Sequence, residues 1–220
     1  MNKILVVGCG GIGSYLVREI QSLINIGQIN LFNTSFTIAD DDIVELEQVE
    51  LQNFTNEDVG DNKAVALTKR YPSFKALQKR INSEKQLKDY DLIVLCVDND
   101  KTRELVVRSC WSIHQSEMAE LDKMLKSPSI PSFVPIFEKR KFIDLRTSGR
   151  KVFAMPMGKS FEDDLKFIDR TDFKTYSCQD KEDLEKGLIQ VGNRISAMIG
   201  TQMLLNWLRG KENRTISLLI

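Results

Sequence analysis

Ile4-Leu5-Val6-Val7-Gly8-Cys9-Gly10-Gly11-Ile12-Gly13 stands near the start of the 220-residue chain and decides its fold. Four apolar residues in a row, stopped by glycine, are the pattern of a strand buried on both faces of a parallel sheet. Leu16, Ile20, Leu23 and Ile24 then recur at helical spacing, which predicts a helix opening near Gly13 or Ser14. A strand, a glycine turn and a helix in that order make a phosphate cradle. Gly8, Gly10, Gly11 and Gly13 permit a tight turn and bring backbone N–H groups close to an anion at the positive end of the helix. The motif points to a nucleotide and leaves NAD, FAD and ATP open.

Working outward, Phe36 to Ala39 reads as a second strand running into Asp40-Asp41-Asp42, and Lys63 to Tyr71 as a helix stopped by Pro72. Leu92 to Val97 is another buried strand, ending on Asp98-Asn99-Asp100. A helix is expected from Thr102 to about Leu121, and a further strand near Phe133 to Phe137. Strands this apolar, alternating with helices, predict a doubly wound, mostly parallel α/β sheet of the Rossmann type, covered on both faces. Such sheets bind ligands beyond the carboxyl ends of their strands. Here those ends carry the glycine loop, Asp40 and Asp98, which places the active site. Asp40, with Asp42 two residues on, is the candidate for ribose hydroxyls.

The chain reads as a single domain, with a nucleotide-binding core over 1–140 and a crossover-loop region plus C-terminal helix over 141–220. Lys151 to Met155 is a candidate strand. Phe161 to Asp183 is charged and weakly periodic and reads as a loop. Val191, Ile195, Met198, Ile199 and Met203 form a helical stripe that reads as a core face.

Lysine plus arginine equals aspartate plus glutamate, 31 against 31, so nothing favours a nucleic-acid partner. The basic run around Lys139-Arg140-Lys141 reads as a solvated strand end. No apolar run is long enough for a signal peptide or a membrane span, so a cytoplasmic protein with no membrane partner is expected. The four cysteines, Cys9, Cys96, Cys110 and Cys178, contain no Cys-x-x-Cys pair, which argues against a zinc site. His114 is the single histidine, so a hydrolase triad has little support.

A specific resemblance emerges between Asp40 and Arg103. The run Asp40-Asp41-Asp42-Ile43-Val44-Glu45 is followed by Gln48-Val49-Glu50-Leu51-Gln52, then Asp58-Val59-Gly60-Asp61-Asn62-Lys63-Ala64, and finally Asp98-Asn99-Asp100-Lys101-Thr102-Arg103. In order and rough spacing these elements resemble the ThiF/MoeB/HesA family, the adenylyltransferases related to ubiquitin-activating enzymes. The resemblance is clear in the first half of the chain and only in outline beyond.

It implies ATP-dependent adenylation of the C-terminal carboxylate of a small ubiquitin-like or sulfur-carrier protein with a Gly-Gly tail. It further implies a homodimer, Mg²⁺ as cofactor, and a conjugating enzyme as a further partner. Lys63 matches the family's phosphate-binding lysine, Asp98 its Mg²⁺-binding acid, Asp40 its ribose acid, and Gln52 the glutamine of its Arg-Gln pair. Cys178 falls about where a transfer cysteine would receive the activated acyl group; an incidental loop cysteine is the alternative. The sequence departs from the family at Gln48 and Leu51, which stand for an asparagine and an arginine, so one phosphate cation is missing. A catalytically weakened partner of the same fold therefore stays open, as does an NAD(P)-dependent oxidoreductase, which shares the glycine loop.

Overall fold

The computed structural model describes residues 1–125, 140–148, 151–168 and 191–220. Strand β1 (Asn2–Val7) leads into helix α1 (Gly11–Asn25), followed by β2 (Thr34–Ala39), α2 (Lys63–Arg70) and β3 (Phe74–Leu77). The chain then crosses to β4 (Leu92–Leu95) and continues through α3 (Asp100–Leu125), β5 (Lys141–Ser148), β6 (Lys151–Pro156), α4 (Phe161–Ile168), α5 (Gly192–Leu208) and β7 (Ile216–Leu219). Among the described residues the strands form one seven-stranded sheet in the order β3-β2-β1-β4-β5-β6-β7. It is parallel from β3 to β5 and antiparallel from β5 to β7.

The apolar run of β1 is buried on both sides. Ile4 and Val6 join a core with Leu16, Ile20, Phe36, Leu67 and Leu204, beneath α1, α2 and α5. Leu5 and Val7 face the opposite core with Ile93, Val106, Val107, Trp111 and Phe142, beneath α3 and α4. Alternation of side chains along a strand makes this division automatic. The doubly wound α/β expectation is met. The strand order reverses between β1 and β4, so the chain leaves these neighbours in opposite directions and opens a crevice at their carboxyl ends.

Three expectations are corrected. Phe161–Ile168, read as part of a charged loop, is helix α4. Ser160 Oγ accepts the Asp163 N–H at 3.1 Å, capping it, and its acidic first turn suits the positive helix end. Asp164 is buried because the indole of Trp111 donates to it at 2.8 Å and the Gly158 N–H at 2.9 Å. The apolar stripe on α5 is only partly its buried face: Met203 is buried and Ile199 packs on the core, but Met198 is 61% exposed and Val191 49%, and the core side is completed by Asn193, Ser196, Ala197, Gly200, Thr201 and Leu204. Small residues are needed there because a Cβ at Gly200 would stand 2.4 Å from Leu145 of β5. Arg140 is no solvated strand end either; it is buried, donating to the Tyr90 carbonyl at 2.9 Å and Ser109 Oγ at 3.0 Å. The strand expected at Phe133 to Phe137 and the remainder of the expected loop, 169–183, lie outside the described residues.

Candidate active site

The crevice at the β1/β4 reversal holds a cavity of about 300 Å3. Its floor is the turn between β1 and α1. Gly8 takes φ +93°, a conformation open to glycine, and a Cβ there would stand 2.7 Å from the Cys96 carbonyl oxygen. A Cβ at Gly13 would stand 1.9 Å from the Gly8 carbonyl oxygen, so the first turn of α1 folds directly onto the strand end. Gly10 is different: a Cβ there would meet nothing within 4 Å among the described residues. Gly10 and Gly11 line the cavity, and the space beside Gly10 is what a phosphate at a helix N-terminus requires.

Asp40, one residue past β2, holds this turn in place. Its Oδ2 accepts the Cys9 N–H at 2.6 Å, and its Oδ1 accepts the Asp42 N–H at 2.9 Å. Burial raises its pKa above the ordinary carboxylate value, against those two N–H donors and the nearby Lys63, which lower it. Each oxygen keeps a lone pair able to accept a ribose hydroxyl. Asp42 takes another part. It lies 3.4 Å from Lys63 Nζ, and its carbonyl accepts the Lys63 backbone N–H at 2.9 Å. Asn62 joins the two: its Nδ2 donates to the Asp40 and Asp42 carbonyls at 3.0 Å each, while its Oδ1 caps α2 through the Val65 N–H at 3.2 Å. The cap therefore sets the position of Lys63, the first residue of the helix.

Asp98, Asn99 and Thr102 close the opposite wall. Asn99 Oδ1 accepts the Thr102 N–H at 2.9 Å and caps α3, leaving Asp98 exposed at the cavity edge. Gln52 also lines the cavity, and among the described residues its Oε1 is buried without a hydrogen-bond partner. The residues expected from sequence, Gly8, Gly10, Gly11, Asp40, Asp42, Gln52, Lys63 and Asp98, thus meet at one cavity, with Gly13 packed just behind it. Cys178 lies outside the described residues.

Two cations were missed. Lys79 and Arg80, just past β3, line the same cavity, and Arg80 is paired to Asp41 at 3.2 Å. Their signal was weak: a basic pair in a polar stretch after a strand too short to register as one. Arg18, a candidate substitute cation on α1, is instead paired with Glu19 at 2.6 Å and packed over the Tyr15 ring. Three aspartates, Asp40, Asp41 and Asp42, converge within 4.8 Å, but Asp41 and Asp42 are engaged by Arg80 and Lys63.

Cys9 and Cys110 are alike in being closed to nucleophilic chemistry. Cys9 is fully buried, its thiol pKa raised by burial and then by Asp40 and Cys96. Cys110 is buried and pushed up to about 12 by the same desolvation. Neither offers a thiolate at neutral pH. His114 packs against the Trp111 ring, 5.3 Å between centroids.

Among solved structures the fold is similar to that of E. coli MccB with ATP, at TM-score 0.56 and 16% identity, covering 100% of this chain and 60% of that one. E. coli MccB with MccA-N7isoASN gives TM-score 0.57 at 15% identity, covering 100% and 62%. PaaA gives TM-score 0.62 at 15% identity, covering 100% and 70%. The chain thus spans about three fifths of the length of MccB. No curated protein matches the sequence. No helix among the described residues is long and apolar enough to cross a membrane. Over residues 1–211 the sequence matches the ThiF family, and the chain belongs to it.

Proposed function

We propose that the chain uses ATP to adenylate a carboxylate. The observation that carries this reading is Lys63: 6% exposed, at the cavity wall, and held by one exposed carboxylate that phosphate oxygens can replace. A carboxylate oxygen attacks the α-phosphorus, the bond to the α–β bridging oxygen breaks, and pyrophosphate leaves with the electron pair. Both reactants are anions, so the protein must supply positioned positive charge. Gly10 and Gly11 place backbone N–H groups under the phosphates, Asp40 takes the ribose, and Lys63 takes the leaving phosphates. Gln52, with its orphaned amide oxygen, has a hydrogen bond to gain from a ligand or a bridging water.

Four carboxylates, Asp40, Asp41, Asp42 and Asp98, line the cavity against three cations, Lys63, Lys79 and Arg80. A triphosphate added to that balance calls for a divalent cation. Asp98 fits Mg²⁺, which is bound by one or two carboxylates and phosphate oxygens and otherwise keeps water. The ion would neutralise charge on the leaving pyrophosphate.

The finer reading is that the carboxylate is the C-terminus of a small ubiquitin-like or sulfur-carrier protein with a Gly-Gly tail, acted on by a homodimer, with a conjugating enzyme as a further partner. The MccB structures with MccA support asking the same question of short peptides. Cys178 is the proposed acceptor if the acyl group is passed on. ATP–pyrophosphate exchange with a panel of Gly-Gly-tailed proteins and short peptides tests all of this. Exchange that requires a carboxylate donor and is lost in a folded Asp98→Ala variant is expected. Binding of NADH in preference to ATP overturns the reading.

A further inference from the structure

Three buried charged side chains behind the cavity form a cluster that the proposed chemistry does not use. Asp144 and Arg146 lie two residues apart on β5, on the face covered by α3 and α4, and Arg103 approaches from the first turn of α3. Their exposures are 2%, 3% and 5%. Asp144 gives one oxygen to each guanidinium: Oδ1 accepts Arg103 Nε at 3.1 Å, and Oδ2 accepts Arg146 Nε at 2.7 Å, with Arg146 Nη2 at ion-pair distance, 2.6 Å, outside hydrogen-bond geometry. The remaining groups of the two arginines point to different parts of the fold. Arg146 Nη1 donates to the Phe167 carbonyl at 3.1 Å, at the end of α4. Arg103 Nη2 donates to the Val97 carbonyl, and its Nη1 lies 3.5 Å from Asp100 Oδ1.

The Val97 contact links the cluster to the site. Val97 is the residue between the cavity-lining Cys96 and Asp98, and Val97, Asp98 and Asn99 all line the cavity. Strand β4 ends at Leu95, so past the Cys96 N–H bond to Val7 this turn is fixed by the Arg103 contact and the Asn99 cap. A guanidinium buried at this depth needs a carboxylate to hold it there. We propose that the Arg103–Asp144 pair is a positioning element. Asp144 clamps Arg103, Arg103 sets the Val97 carbonyl, and the Asp98 carboxylate is thereby held where a metal-bound triphosphate meets it. The inference rests on the proposed ATP-dependent reading of the cavity.

The contrast between the two arginines supplies the test. Arg103→Lys and Arg146→Met each remove one guanidinium from the same carboxylate, so both lower the melting temperature. Only the first disturbs the Val97 contact. Calorimetric titration with ATP at several Mg²⁺ concentrations should show Arg103→Lys and Asp144→Asn binding about tenfold or more weakly and needing more Mg²⁺ to saturate. Arg146→Met should bind close to wild type despite its lower melting temperature. Should Asp144→Asn fail to fold, the two arginine variants decide alone. Equal weakening in both, or wild-type binding by Arg103→Lys, overturns the proposal. A wild type that binds no ATP instead overturns the reading of the cavity.

Discussion

Lys63 Nζ stands 3.4 Å from Asp42 Oδ2, and the same two residues are joined again through their backbones, Lys63 N–H to Asp42 carbonyl at 2.9 Å. The lysine is buried and the aspartate is 59% exposed. The pair is therefore asymmetric. Water can satisfy Asp42 alone, whereas Lys63 has no other side-chain partner among the described residues and is open to an anion entering the cavity.

That asymmetry makes a prediction for Lys63→Met. The substitution keeps most of the buried stem and leaves only a solvated carboxylate behind, so the melting temperature should change little. Loss of a positioned cation from a phosphoryl transition state costs about 10³-fold or more in rate. Pyrophosphate exchange should fall by that order, as measured beside thermal denaturation. A variant that retains a tenth of the wild-type rate would remove Lys63 from the role given to it.

Two glycines of one loop should respond oppositely to alanine. At Gly13 a Cβ collides with the Gly8 carbonyl at 1.9 Å, a backbone atom with no room to move. Gly13→Ala should therefore lose about 3 kcal/mol of stability or more. At Gly10 a Cβ meets nothing within 4 Å, so Gly10→Ala should fold normally. Its methyl group, however, enters the space proposed for phosphate and should weaken ATP binding. Urea denaturation and nucleotide titration of the two variants check both halves. Equal stabilities would show that the loop relaxes around Gly13.

Asp164 carries a pH signature. Burial raises its carboxyl pKa above the ordinary value, and Asp163 adds to this, while donation from Trp111 and Gly158 lowers it. A raised folded value means the folded chain binds this proton more tightly than the unfolded one. The stabilisation is complete below the ordinary carboxylate pKa, about 4, and is lost as pH rises through the raised folded value. Asparagine has no such proton. The stability of wild type relative to Asp164→Asn should thus decline between the carboxylate range and neutrality. Denaturant titrations of both proteins at several pH values measure it, and a gap independent of pH contradicts the assignment.

The legible parts of the sequence were those where one physical requirement admits few residue types. A run such as Ile4 to Val7 has few uses other than a doubly buried strand, and Gly8 and Gly13 are fixed by contacts that exclude any Cβ. The placement of Asp40 and Asp98 beside the glycine loop, at strand ends, followed from the same logic. The face of helix α5 was only partly legible because hydrophobic periodicity finds large apolar residues such as Met203, whereas close packing on Leu145 selects Gly200, and Ala197 and Ser196 are buried beside it in sequence. Helix α4 was hidden by its own capping chemistry: Glu162, Asp163 and Asp164 raise the charge of a segment whose Phe161, Leu165 and Phe167 pack on the core. The Arg103–Asp144–Arg146 cluster joins residues 41 positions apart. No local pattern encodes such a pairing.

The departure at Leu51 leads to the last prediction. Leu51 does not line the cavity, although Gln48 and Gln52 do, and positive charge enters instead from Lys79 and Arg80. Arg80 is 64% exposed and lies 3.2 Å from Asp41, itself 42% exposed. An exposed pair of this kind contributes about 1 kcal/mol or less to stability. On the proposed reading of the cavity its value lies in charge balance, because Arg80 offsets a carboxylate that would otherwise repel the phosphates of ATP. Arg80→Ala should leave the melting temperature nearly unchanged and weaken ATP binding by about three- to tenfold, corresponding to about 1 kcal/mol. The effect should shrink at high salt, since charges this exposed are screened. Asp41→Asn in the Arg80→Ala background removes the unbalanced carboxylate and should restore most of the lost affinity. If Arg80 instead contacts the nucleotide directly, the second substitution restores nothing. Titration of the two single variants and the double variant with ATP, at low and high salt, separates those cases.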